Sequence, residues 1–349
     1  MLDIDIERVL DGPARPSDRG RQEIGRSREG RALFGYRFGH GPRRLSLIAG
    51  CHADEPIGPA MLDRLAAWLQ TLDDRDPRLE GASWRLVPHT NPDGEAKNEA
   101  WTAGLGPVAT WTNSEVAVDL ESYLRHVVRE PPGEDLEFGF PRSDDDHGAR
   151  PEALAIAAFL DDGGPYDLHG SFHGMAFAAG PWFLIERAWI DRTFAMRDSL
   201  RSLVASRGYT VHDIDRRGDK GFERIDRGFT TRPDSRAMQA HFKALGDEAM
   251  ASLFRPSSME FVRSLGGDAF TLVSEMPLFL LPEQAFPADQ PVHVPATKKL
   301  RLAAARGSRE LERTVQEEKV RAMPIRDQIF FQLSFLDAAL DAISQESNR

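Results

Sequence analysis

His52 and Glu55 stand three residues apart in Cys51-His52-Ala53-Asp54-Glu55-Pro56-Ile57-Gly58. At the end of a strand and leading into a helix, a histidine and a glutamate at that spacing can face one metal ion from a single turn. Taken alone, H-x-x-E is also a frequent chance pattern. A second histidine closes Tyr166-Asp167-Leu168-His169, and the following Gly170 leaves room for a ligand. Two histidines and one glutamate, with a fourth position open to water, make a catalytic zinc set and not a closed structural one. Asp167, on the same side of the strand, can support the His169 ring as an outer carboxylate. Read by itself, His169 is equally a capped surface histidine. Glu275 follows the apolar run Phe270 to Val273. A carboxylate partly desolvated there has its pKa raised toward general-base work; the plainer alternative is a salt-bridged loop glutamate. His173 lies four residues after His169, but residues 166–169 read as strand, so an H-x-x-x-H helical pair is not expected. His173 therefore reads as a substrate-facing or structural histidine.

The elements that must position these groups are strands alternating with helices. Leu45 to Gly50, Trp84 to Pro88, Tyr166 to His169, Trp182 to Ile185 and Phe270 to Val273 are short apolar runs bounded by turn residues, which suits strands buried on both faces. Ile57 to Leu72 carries apolar residues at helical spacing, and Glu152 to Leu160 is opened by Pro151 at a first helical position. The pattern predicts an α/β fold, a single large domain with a mixed, largely parallel central sheet flanked by helices. Ligands at the C-terminal ends of strands are where such sheets hold their sites. Two stretches, near 95–150 and 212–255, break the rhythm and read as large loops or insertions. In the first, Asp144-Asp145-Asp146-His147 reads as a solvated acidic loop, with a second cation site as the alternative. Residues 1–285 then form the catalytic domain, and 286–349 a helical extension packed on it. The stripe Ile329, Phe330, Leu333, Leu336, Leu340 and Ile343 reads as core packing, with an oligomer interface as the alternative.

Composition narrows the function classes. The 349 residues carry a formal charge of −11, with 41% hydrophobic and 28% charged residues. That is the balance of a folded globular chain, and its acidity argues against a nucleic-acid surface. One cysteine, Cys51, excludes an internal disulfide or a cysteine-based zinc finger and suits a reducing compartment. The acidic start Met1 to Glu7 has no apolar signal region, and no stretch approaches the ~18 apolar residues of a membrane span. The chain reads as cytoplasmic, with no membrane and no nucleic acid among its partners.

The order of H-x-x-E, Asn91-Pro92-Asp93-Gly94, Asp167-Leu168-His169 and a strand ending in Glu275 resembles the zinc carboxypeptidase family, the M14 metallopeptidases. Ile24-Gly25-Arg26-Ser27-Arg28-Glu29-Gly30-Arg31 is similar to that family's I-G-x-S-x-E-G-R segment. Ser258-Met259-Glu260-Phe261 resembles the segment lining its specificity pocket, which makes Met259 a substrate-binding residue. The resemblance covers about residues 20 to 285. It implies one zinc per chain held by His52, Glu55 and His169, with Glu275 as general base and acid. It also implies that Arg129, in Arg129-Glu130-Pro131-Pro132-Gly133-Glu134-Asp135-Leu136, shares the oxyanion with the metal. The expected substrate is a peptide or small amide. A deacylase of small N-acyl compounds and a zinc-binding pseudoenzyme are the alternatives.

One departure bears on specificity. Where the family has D-L-N-R to grip a terminal carboxylate, this chain has Asp135-Leu136-Glu137-Phe138. Glu137 would repel a substrate carboxylate and receive an amine, with Phe138 as an apolar wall. The expectation is a substrate with a neutral or amine-bearing end.

Overall fold

The structure, a computed structural model, describes residues 2–143, 145, 146, 148–286 and 294–346. The apolar runs become the strands of one mixed sheet, ten-stranded among these residues. They are β1 (Arg21–Arg26), β2 (Ala32–Phe38), β3 (Arg43–Ala49), β4 (Ala82–Val87), β5 (Leu168–Ala178), β6 (Trp182–Ile185), β7 (Arg224–Asp226), β8 (Phe229–Thr231), β9 (Phe270–Leu280) and β10 (Arg321–Ala322). Their order is β1-β2-β4-β3-β5-β9-β6-β8-β7, with β10 beside β9. The centre, β4-β3-β5-β9, is parallel, and the flanking pairs β1-β2, β2-β4 and β9-β6 are antiparallel.

Alternation along the central strands sorts side chains to two faces. Leu45, Leu47, Ala49, Leu168, Phe172, Phe270, Leu272 and Met276 join the main core, with residues of the helices Ile57–Thr71 and Ile325–Glu346. The opposite side of β3 and β4 supplies Ile48 and Val87 to a second cluster, with Ala153 and Ile156 of helix Pro151–Asp161 and Val262 of helix Ser258–Ser264. His169, Ser171 and His173 of β5 share that second side, and parallel register sets them beside Thr271, Val273 and Glu275 of β9. A polar stripe thus runs up two buried strands toward their C-terminal ends.

Two contacts fix this edge of the sheet. A Cβ at Gly58 would lie 2.3 Å from the Phe172 carbonyl oxygen, so only glycine lets the first turn of Ile57–Thr71 close on β5. Gln332, fully buried on the last helix, donates from Nε2 to the His173 carbonyl (3.1 Å) and to Ser274 Oγ (3.3 Å). The stripe Ile329 to Ile343 is buried in the main core.

The stretch near 212–255 is less of a loop than its sequence implies. It supplies β7 and β8 to the sheet edge and the helices Ser235–Ala244 and Glu248–Leu253. Three-residue strands are too short to show a period. Asp144 and His147 of the acidic cluster lie outside the described residues, and Asp146 pairs with Arg255.

Candidate metal centre

β3 ends at Ala49, and the chain turns through Gly50, in the left-handed region at φ 76°, into His52 and Glu55 ahead of the helix Ile57–Thr71. His52 Nδ1 lies 2.7 Å from Glu55 Oε1. Across the gap, His173 Nδ1 lies 3.0 Å from Glu55 Oε2 and 3.3 Å from His52 Nδ1. The three residues form a group able to hold a metal ion. Tetrahedral zinc at about 2.0–2.1 Å from N and O ligands separates ligand atoms by about 3.3 Å, and this trio is close to that spacing without rearrangement. Cys51, Glu137 and His173 make a second, overlapping group, but burial pushes the Cys51 thiol up to about 12, which disfavours a thiolate ligand.

His169 is not in the trio. β5 runs on past His169 to Ala178, so His173 is a strand residue on the same side, two alternations nearer the C-terminal end. Both ring nitrogens of His169 are taken by serines, Nδ1 by Ser46 Oγ at 2.8 Å and Nε2 by Ser258 Oγ at 3.0 Å. Burial, with Arg232 nearby, lowers its pKa to about 3 and keeps it neutral. The structure thus brings His173, and not the expected ligand His169, beside His52 and Glu55. Asp167 is likewise elsewhere, paired with Arg43 at 2.9 Å and accepting from the Arg44 backbone N–H at 2.8 Å.

Glu137 also has a different position from the one its sequence implies. Its Oε2 lies 3.0 Å from His173 Nε2, and Ser171 Oγ lies 2.7 Å from the same nitrogen. A bond from the Leu136 N–H to the Cys51 carbonyl (3.3 Å) pins this segment beside His52. Burial opposes charge on Glu137, but the charge and hydrogen bond of His173 outweigh it and its pKa falls. The same pairing, with Glu55, raises His173 well above the ordinary range against the opposing effect of burial. The Glu137 carboxylate is thus engaged by His173 within the structure.

Glu275 is the register partner of His173 on β9 and of Trp182 on β6. Burial pushes its pKa up to about 8, and the Glu55 charge adds to the rise. Arg129 Nη1 approaches Asp54 Oδ2 at 3.4 Å and Glu55 Oε1 at 3.5 Å, with half of its side chain exposed. The charges of Glu55 and Asp54 raise its pKa although burial works against them. A cavity of about 460 Å³ gathers His52, Arg129, Glu137, Phe138, Met259 and Glu275 on its walls. Met259 is buried beneath it with Trp182, Leu184 and Val273, and Phe138 meets Phe254 edge-on at 5.4 Å.

The motif segments outside the cavity brace one another. Asp93 accepts from Ser27 Oγ (2.6 Å), the Glu29 N–H (3.0 Å) and Arg31 Nη1 (2.8 Å). Asn91 caps its own turn through the Gly94 N–H and donates to Glu130, the neighbour of Arg129.

Residues 13–183 match the family model described as zinc carboxypeptidase. Over this region the chain belongs to the zinc carboxypeptidase family. It is accordingly a metallopeptidase-type hydrolase. Several solved structures are similar at low identity. A metallo-carboxypeptidase from Burkholderia cenocepacia is 15% identical, over 97% of this chain and 68% of that one, with a TM-score of 0.43. A metallo-carboxypeptidase from Pseudomonas aeruginosa is 19% identical, over 97% and 68%, with a TM-score of 0.45. Carboxypeptidase A from Helicoverpa armigera is 10% identical, over 99% and 72%, with a TM-score of 0.45. No curated protein matches the sequence. Among the described residues no helix is long and apolar enough to cross a membrane.

Proposed function

We propose that this chain hydrolyses a peptide or amide bond, using one zinc held by His52, Glu55 and His173 and the carboxylate of Glu275 as general base. The observation that carries the reading is the convergence of three ligand atoms at 2.7 to 3.3 Å, with Glu275 in register beside one of them. The donor set fits zinc: two imidazole nitrogens and one carboxylate, with Glu137 behind His173 as the outer partner that fixes ring orientation. The carboxylates of Glu55 and Glu137, both held ionised by the neighbouring histidines, also bring negative charge that a divalent ion would balance. Bound there, zinc would polarise a carbonyl and lower the pKa of a water.

Glu275 then takes a proton from the attacking water and returns it to the leaving amine. A carboxyl already lifted to about 8 by burial and by Glu55 holds that proton at neutral pH, and a cation alongside draws the value down toward the range where one group serves as both base and acid. Arg129, on the cavity wall, supplies a cation for the charge that develops on the carbonyl oxygen. The arrangement gives Glu275 a use that a zinc-binding pseudoenzyme would lack. Cytoplasmic placement is part of this proposal, supported by the single, buried, unpaired Cys51.

The test is hydrolysis by the zinc-loaded protein of N-acylated dipeptides, longer peptides and simple N-acyl amines. Cleavage of the peptides, abolished by a chelator and restored by zinc, is expected. Cleavage of the N-acyl amines alone would favour the deacylase alternative, and no cleavage at all would favour the pseudoenzyme.

A further inference from the structure

The helix Ile325–Glu346 carries two glutamines, Gln328 and Gln332, one turn apart and both fully buried. In each, the side-chain Oε1 is buried with no partner. A buried carbonyl oxygen without a donor costs stability that a shape-matched apolar side chain would not. The two amides differ in what their N–H groups hold. Gln328 Nε2 donates to the Met323 carbonyl at 2.9 Å, just ahead of its own helix. Gln332 Nε2 reaches two strands instead, with the His173 carbonyl of β5 at 3.1 Å and Ser274 Oγ of β9 at 3.3 Å. A carbonyl only accepts, so the His173 contact fixes which end of the amide faces the sheet and leaves Oε1 without a donor.

The level at which Gln332 bonds is the level of the site. His173 and Glu275 are register partners, and Ser274 precedes Glu275 on the other side of the same strand. β5 pairs with β3 only as far as Phe172, opposite Ala49. From His173 onward, among the described residues, β9 is the one strand that β5 pairs with. The metal-facing histidine thus sits where its strand gives up one neighbour, and Gln332 adds a bond there from the main-core side. A strand held along one edge can shift, and a shift at this level moves the His173 imidazole relative to Glu275. Misplacement of reacting groups by about 1 Å can cost about 10²-fold in rate.

We propose that Gln332 is a positioning residue, which clamps β5 to β9 and so fixes the metal ligand His173 relative to the general base Glu275. The inference rests on the hydrolase reading above and adds to it a residue outside the cavity. Gln332 acts through the His173 backbone and the Ser274 hydroxyl. Its unsatisfied Oε1 is a local loss of stability retained for placement, a pattern common where function overrides packing.

Gln328 supplies the comparison, since it has the same burial and the same unpartnered oxygen but does not reach β5. Gln328→Met and Gln332→Met each remove one donor to a carbonyl and one unpartnered oxygen while filling similar space. Their shifts in Tm, measured on metal-free protein, should be similar. Only Gln332→Met should weaken zinc in chelator competition, by about tenfold, and lower kcat at saturating zinc by about tenfold with KM nearly constant. Ser274→Ala removes one of the two acceptors and should move both quantities in the same direction by less. Combined with Gln332→Met it should add little further, because the two changes break one shared bond. Wild-type zinc affinity or wild-type kcat in Gln332→Met overturns the proposal, whatever its Tm, and so does an equal loss of zinc affinity in Gln328→Met. If Gln332→Met does not fold, Ser274→Ala decides, and unchanged zinc affinity there overturns the clamp. Zinc affinity requires no turnover, which keeps this test apart from the hydrolase reading. Zinc weakened in Gln332→Met alone supports the clamp even if no peptide is cleaved, and zinc unaffected by that change refutes it even in an active peptidase.

Discussion

His173 Nε2 lies 3.0 Å from Glu137 Oε2 while its Nδ1 faces Glu55 and His52. One imidazole therefore joins the proposed metal trio to a carboxylate that the sequence presents as a specificity residue. A histidine that gives its second nitrogen to a carboxylate is fixed in orientation and made a more basic ligand.

Glu137→Gln should then weaken zinc binding about 10–100-fold, the usual cost of losing such an outer partner. Chelator competition on wild type and variant measures it. An unchanged zinc affinity with an altered preference for the substrate end would return Glu137 to the substrate-reading role.

The two β5 histidines should respond oppositely to truncation. His173→Ala should lose zinc. His169→Ala should keep it, and should lose stability by roughly 1–3 kcal/mol because the buried Ser46 and Ser258 hydroxyls lose their shared partner. Elemental analysis and urea unfolding separate these effects. Zinc retained in His173→Ala and lost in His169→Ala would reinstate the assignment read from Asp167-Leu168-His169.

That exchange shows where sequence reading stops. The α/β class was legible because β3, β5 and β9 are apolar runs in a parallel centre, and the His52–Glu55 pair because both sit on one turn after a strand. His169 was preferred over His173 because the apolar run ends near residue 169, whereas β5 continues to Ala178 through Gly170, Ser171 and Gly174. The signal that could have found His173 was period two: residues 169, 171 and 173 alternate onto one side, and the later one lies nearer the C-terminal end of the strand. The pairing of Glu137 with His173 carried no such signal: it depends on the bond from the Leu136 N–H to the Cys51 carbonyl, a contact that only the folded chain creates.

Glu275→Gln should retain zinc and fold but lower kcat by about 10²–10⁴, the usual contribution of a general base. The amide fills the same space, so a loss of turnover at constant zinc content isolates the proton transfer. A variant that keeps most of its kcat on a substrate the wild type cleaves would remove Glu275 from the mechanism.

A pH-dependent clamp stands outside the cavity. His89 lies 2.9 Å from Glu95 through Nδ1 and 3.1 Å from Asp63 through Nε2, joining the helices Pro92–Lys97 and Ile57–Thr71 that flank His52 and Glu55. Burial disfavours the imidazolium, but Glu95 and Asp63 together overcome it and raise the pKa of His89 well above 6.5. With 42% of its side chain exposed, solvent screens part of that effect. The sign follows from linkage: a group with a raised folded pKa contributes its full stability below the unfolded value of about 6.5 and loses it as pH climbs through the folded one. His89→Gln should therefore lower Tm more at pH 6 than at pH 10, measured on metal-free protein so that zinc binding does not enter. An equal loss at both pH values would mean that His89 joins the helices by packing and neutral hydrogen bonds, with no contribution from its charge.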